Sequence, residues 1–170
     1  MNAVAILGSS RADGETARLL DEVLSHLPDA ERFDLGALNI GPYSYAHAHK
    51  DDDFLPLARR MLKARTIILA SPVYWYSMSA QMKIFFDRLT DLTDLPYKPI
   101  GKQLAGKTMY AVATGSRDAP PFSFSEPFSE TAGYFKMEWG GLLYRRGSAA
   151  LTREDRAAAR FFAEDICALA

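Results

Sequence analysis

The chain has 170 residues, 48% of them apolar and 24% charged, with a formal net charge of -1. That balance suits one globular domain with a substantial core and leaves no basic field to hold nucleic acid phosphates. No apolar stretch reaches bilayer-crossing length and the first residues lack a signal-peptide pattern, so no membrane span and a cytoplasmic protein are expected; the one cysteine, Cys167, excludes an internal disulfide and any multi-cysteine metal or iron–sulfur centre.

Residues 3–7, AVAIL, are a continuous apolar run and predict a buried strand. Thr16, Leu19, Leu20, Val23, Leu24 and Leu27 then repeat at helical spacing until Pro28. Residues 31–35, ERFDL, alternate as a half-exposed edge strand does, and Phe54, Leu57, Ala58, Met61 and Leu62 resume a helical stripe. TIILA, 66–70, predicts a third strand, followed by a helix marked by Met78, Met82, Phe85, Phe86 and Leu89. KTMYAVATG, 107–115, reads as a fourth strand stopped by Gly115, with a helix from Phe128 to Phe135 after it. WGGLLY, 139–144, is the fifth strand, and residues 152–169 form a terminal helix with Thr152 as N-cap and acidic residues in its first turn.

Strands alternating with helices specify a parallel sheet covered on both faces. With the polar second strand at an edge, the strand order 2-1-3-4-5 of a flavodoxin-like α/β fold fits, over one domain spanning residues 1–170. Ligands of such sheets sit beyond the carboxyl ends of the strands, here the loops after strands 1, 3 and 4.

Those loops read GSSRADGET (8–16), SPVYWYSM (71–78) and TGSRDAP (114–120). The first opens a helix, so its amides and the helix dipole favour a phosphate, with hydroxyls from Ser9, Ser10 and Thr16 and a charge from Arg11. The alternative is that Ser10 or Thr16 only caps the helix and Arg11 is solvated. In the second loop Pro72 stiffens the chain while Tyr74, Trp75 and Tyr76, which cannot all face a core, offer rings to a planar ligand or to a subunit interface. Thr114, Gly115 and Ser116 keep the third loop small, as a close-lying flat ring requires; an ordinary glycine-terminated strand end is the alternative.

GSSR-x-x-G-x-T after the first strand, followed by ASPVYWYSMSAQMKIFFDR, resembles the NAD(P)H-dependent FMN reductases and quinone reductases of the flavodoxin-like superfamily. The likeness extends through DDDF before the second helix and ATG in strand 4, and fades across 116–150. It implies an FMN-dependent oxidoreductase that takes electrons from NAD(P)H and passes them to a small acceptor such as a quinone, a flavin or an azo compound. It also implies that Ser9, Ser10, Arg11, Gly14, Glu15 and Thr16 hold the FMN phosphate, Pro72, Val73, Tyr74 and Trp75 the isoalloxazine edge, and Thr114, Gly115 and Ser116 its pyrimidine end. Glu15 stands where relatives often have asparagine, and a carboxylate repels phosphate unless only its N–H points inward, so Thr16 ranks above it. Lys83 and Asp87 also match the family, but four apart on a helix they form a local ion pair without any ligand.

The stretch PYSYAHAHKDDDF, 42–54, holds histidines and aspartates, yet a solvated loop entering a helix needs no metal. Some iron–sulfur relatives carry cysteines there; this stretch has none, which leaves an FMN-only protein. Arg117 either meets a 2′-phosphate of the donor or is solvated, and 119–128, rich in proline and aromatics, either caps the flavin, meets a neighbouring subunit or packs in the core. A homodimer or homotetramer is expected. A phosphoryl-accepting receiver domain lacks its aspartate, since Ser71 follows strand 3, and a serine hydrolase lacks its G-x-S-x-G. A flavodoxin-type electron carrier or FMN-binding signalling module is the remaining alternative, against which the missing acidic docking surface counts.

Overall fold

The computed structural model describes residues 2–168. Five strands, β1 (Ala3–Leu7), β2 (Ala30–Asp34), β3 (Thr66–Pro72), β4 (Thr108–Gly115) and β5 (Glu138–Arg146), form one all-parallel sheet in the order β2-β1-β3-β4-β5. The helices are α1 (Glu15–Ser25), α2 (Phe54–Lys63), α3 (Ala80–Arg88), α4 (Lys98–Gly101), α5 (Glu126–Tyr134) and α6 (Arg153–Ala168). β1 and β3 are buried throughout because both faces are covered, and their sequences are mostly apolar. Val4, Ile6 and Ile67 point to a core built with α2, α3 and α5, while Ala5, Leu7 and Ile68 point to one built with α1 and α6. This is the flavodoxin-like order expected from the sequence.

The differences are local. β2 starts at Ala30 and ends before Leu35, which opens a 3₁₀ turn because the Asp34 carboxylate accepts the N–H of Gly36 at 2.8 Å. β3 runs on through Ser71 and Pro72, paired with Ala113 and Thr114, so these two belong to the strand end rather than to a free loop. β5 is longer than 139–144 at both ends; Gly141, at φ +114°, stands beside a register shift, and the ring of Tyr110 fills the space a side chain at Gly140 would need. Leu89, read with the third helix, opens a 3₁₀ turn instead, and residues 90–104, unread in the sequence, hold the rest of that turn, α4 and a second 3₁₀ turn. Thr152 caps α6 as expected, its Oγ1 accepting the Asp155 N–H at 3.1 Å while the Asp155 carboxylate accepts the Thr152 N–H at 2.9 Å. Leu169 lies outside the described residues.

The long connection after β2 is fixed by a buried cation. Arg88 is 2% exposed, pairs with Asp52 at 2.5 Å and Asp91 at 2.7 Å, donates to the carbonyls of Gly41 and His49, and lies 4.7 Å over the Phe54 ring. Burial pushes the Asp52 carboxyl up, but hydrogen bonds from Arg88 and from the N–H groups of Phe54 and Gly41 outweigh it and hold that carboxyl below the usual range.

Candidate functional site

The three loops are bonded into one rim. Gly8 follows β1, donates its N–H to the Ala70 carbonyl at 2.8 Å, and its own carbonyl accepts the Ser79 hydroxyl at 2.6 Å. A side chain at Gly8 would stand 2.8 Å from Met82 Cβ and 2.9 Å from Met82 N, so the loop presses on the start of α3 as only glycine allows. Ser79 also caps α3 through the Met82 N–H and donates its own N–H to Ser71 Oγ at 2.9 Å. Thr16 and Thr114, both buried, share a hydroxyl hydrogen bond of 2.6 Å, and Val73 N–H donates to the Thr114 carbonyl at 2.8 Å.

The N-cap of α1 is Gly14, and no side chain caps the helix. Neither Ser10 nor Thr16 takes that part, which removes the capping alternative. An α-helix leaves its first-turn N–H groups without intrahelical acceptors, so those of α1 remain open to an anion. Ser9 is buried, and its Oγ accepts the Arg11 N–H at 3.2 Å, which leaves its own hydrogen to donate.

A cleft of about 320 Å³ opens along this rim. Ser9, Arg11, Gly14, Glu15, Thr16, Pro72, Val73, Tyr74, Thr114, Gly115 and Ser116 all line it. Two sequence-predicted residues stand apart. Ser10 is exposed and accepts from Gln81 Nε2 at 3.4 Å, while Trp75 lines the neighbouring cleft instead. Gly147 was not read from the sequence, yet it lines the cleft, donates its N–H to the Gly115 carbonyl at 2.8 Å and lies against the Glu15 carboxylate. Arg18 braces the two sides, donating to the carbonyls of Asp13 at 2.8 Å and Ser148 at 3.0 Å. The only signal for this edge was the Gly-Ser pair after strand 5.

The second cleft, about 270 Å³, shares Val73 and Ser116 with the first and is otherwise lined by Trp75, Tyr76, Arg117, Pro121 and Tyr144. Tyr74 and Ser77 exchange backbone hydrogen bonds of 2.9 and 3.1 Å around a two-residue turn, which forces Trp75 to φ +48° and Tyr76 to φ +70°. Side chains rarely accept that region, and here two aromatic residues do so in succession. Trp75 is 92% exposed as a result. The Arg117 guanidinium lies 5.1 Å from the Tyr76 ring centroid, and the Arg117 carbonyl accepts the Tyr144 hydroxyl at 2.8 Å. Burial pushes the Tyr144 phenol up, which keeps that proton in place. Arg117 is exposed, yet its backbone is tied to Tyr144 and its guanidinium lies against the Tyr76 ring.

Other charged candidates are satisfied within the chain. His47 meets Asp91 at 3.2 Å, Asp53 accepts the Asn39 N–H, and Lys83 pairs with Asp87, as the spacing of four predicts. Among the described residues no group of three His, Cys, Asp or Glu stands close enough to hold a metal. Of 119–128, Phe124 packs in the core with Phe128, whereas Phe122 is 90% exposed.

A parallel sheet in this order, with an uncapped helix start and an aromatic rim at its switch point, defines a flavodoxin-like protein. The NADPH-dependent FMN reductase family model matches residues 1–125, and the chain belongs to that family, with FMN as cofactor and NAD(P)H as electron donor. Over 122 residues the chain is 30% identical to an NAD(P)H-dependent FMN-containing oxidoreductase of Bacillus subtilis, covering 68% of this chain and 67% of that one. Over 127 residues it is 32% identical to an iron–sulfur flavoprotein of Methanocaldococcus jannaschii, covering 68% and 63%. The chain thus spans about two thirds of the length of these relatives. General stress protein 14 of Treponema denticola, solved in complex with FMN, superposes with a TM-score of 0.71 at 18% identity over 100% of both chains and shares the fold.

The donor set of the first cleft fits a phosphate: open first-turn amides, the hydroxyls of Ser9 and Thr16, and Arg11 stand against one carboxylate, Glu15.

Proposed function

We propose that this chain passes electrons from NAD(P)H through bound FMN to a small acceptor, a quinone, a free flavin or an azo compound, as one flavin-binding domain of residues 1–170 acting in the cytoplasm as a homodimer or homotetramer. The observation that carries the reading is the convergence of three loops on one cleft whose helix start is uncapped and whose aromatic rim faces solvent. The flavin supplies two-electron chemistry. In net terms a quinone, NAD(P)H and one proton become a hydroquinone and NAD(P)⁺.

The chain's own residues bind and orient. Ser9, Arg11, Gly14 and Thr16 offer hydroxyls, charge and close amides to the phosphate, and Glu15 contributes its N–H rather than its carboxylate. Ser10, set back from the cleft, takes a lesser part. Pro72, Val73 and Tyr74 fix one edge of the ring system, with Trp75 beyond it. Thr114, Gly115 and Ser116 allow the opposite edge to approach the backbone. Anaerobic rapid mixing of the FMN-loaded protein with NADPH or NADH tests the reading, and bleaching of the flavin without a protein partner is the expected result. Flavin that stays oxidised with either nucleotide, yet is reduced by dithionite, would identify an electron carrier instead.

A further inference from the structure

The second cleft holds a cation that no carboxylate neutralises. Asp118, the adjacent acid, pairs with Arg146 at 3.1 Å, and among the described residues Arg117 has no ion pair, only the Tyr76 ring beneath its guanidinium. Arg117 shares this cleft with Trp75, Tyr76 and Tyr144, and the cleft is also lined by Val73 and Ser116, which line the proposed flavin cleft as well. The turn that presents Trp75 and Tyr76 keeps two residues at positive φ, a cost that persists only where the surroundings over-determine it and that gathers at ligand-binding positions. Tyr144 reaches Arg117 because residue 115 is glycine: a side chain there would stand 2.7 Å from the Tyr144 hydroxyl.

We infer that the second cleft is the acceptor site of this reductase and selects flat aromatic acceptors that carry an acidic group on the ring, with Arg117 as its anion-recognising residue and Tyr76 and Trp75 as stacking surfaces. This rests on the reductase reading above. The guanidinium lies 5.1 Å from the centroid of a ring in the same cleft, so its ligand needs charge beside its own ring. A ring sulfonate or carboxylate meets that need, whereas a dinucleotide keeps each phosphate a sugar away from either ring. Guanidinium binds such groups through paired N–H donors and stacks on aromatic faces at the same time.

The test pairs a redox-inert probe with turnover, both on the FMN-loaded protein. Naphthalene sulfonate should bind by calorimetry at least tenfold more tightly than the neutral hydroxymethyl naphthalene, and Arg117→Ala should remove that preference, while Arg117→Glu should invert it. In steady state the ratio of kcat/KM for naphthoquinone sulfonate over unsubstituted naphthoquinone should fall at least tenfold in Arg117→Ala. Equal binding of both probes, or an Arg117→Ala protein that keeps the sulfonate preference, overturns the assignment. So does an Arg117→Ala loss of affinity for FMN and riboflavin alike, which would give the cleft to the flavin ring. A rise in KM for NADPH alone, with the sulfonate preference intact, would give Arg117 to the nucleotide. If naphthalene sulfonate binds as expected but neither quinone is reduced, the quinone-reductase reading fails while the anionic site stands.

Discussion

Arg11 lines the first cleft, its side chain largely exposed and in a loose ion pair with Asp13 at 3.8 Å, a solvated contact weak enough for an incoming anion to displace. Arg11→Glu places a carboxylate where a charge-assisted donor stood. Losing such a bond costs about 1.5 to 3 kcal/mol, so FMN affinity should fall at least tenfold, with riboflavin affinity little changed; fluorescence titration of the apoprotein with each checks this. Thr16→Val acts differently, because it leaves the buried Thr114 hydroxyl without its 2.6 Å partner. An unsatisfied buried hydroxyl costs about 1 to 3 kcal/mol, so the melting temperature of the apoprotein should drop as well as FMN affinity. At this scale the sequence announces residue types and is silent on direction. Ser9 and Ser10 read alike, and only the pinning of Gly8 against Met82 decides which of them turns inward. Gly147 carries only the turn signal of the Gly-Ser pair, which says nothing of the cleft it reaches because β5 lies beside β4.

The turn from Tyr74 to Ser77 is an element whose geometry opposes its residues. A two-residue loop of this kind suits Asn-Gly, and here it carries Trp75 and Tyr76. Replacing Trp75 and Tyr76 by Asn and Gly should raise thermal stability, since each strained position costs on the order of 1 to 3 kcal/mol, while abolishing the binding of naphthalene sulfonate. A calorimetric melt and the titration described above read the two effects separately, and an unchanged melting temperature would mean that the strain is relieved elsewhere. β1 and β3 were legible because burial on both faces makes them largely continuous apolar runs, β2 because an edge strand alternates, and α1 and α2 because one helical face is apolar. Residues 90–104 were not legible, for a 3₁₀ turn or a four-residue helix is too short to show a period.

For the whole molecule, acid is the informative stress. Burial pushes the Asp155 carboxyl up, but hydrogen bonds from the Thr152 N–H, Arg145 and the Thr152 hydroxyl outweigh it, and Asp52 is likewise held below its usual range. Each therefore contributes stability that is fully present above the unfolded carboxylate value, about 3.9, and is lost as pH falls through the lower folded value. Stability followed by circular dichroism should decline over that acid window, and Asp52→Asn should be less stable at neutral pH with a flatter acid profile. Removing one partner of a buried pair costs about 3 to 5 kcal/mol, so a variant as stable as the parent at pH 7 would contradict the bonding seen around Arg88. Light scattering at micromolar concentration tests the proposed assembly, for which exposed Trp75, Phe122 and Tyr134 supply apolar contact area; a monomer that keeps full activity on dilution would refute it.

The two edges of the sheet limit the form any such assembly takes. β2 carries Glu31 and Arg32, tied to Arg60 and Asp21, and β5 ends in Arg145 and Arg146, tied to Asp155 and Asp118, after a distortion at Gly141. Charges and irregularity of this kind keep a second strand from docking along a free backbone edge. Both edges therefore disfavour joining copies of this chain into one continuous sheet, and favour contacts through loops and helix faces. The same edges oppose the strand-by-strand addition by which a folded chain would template a fibril.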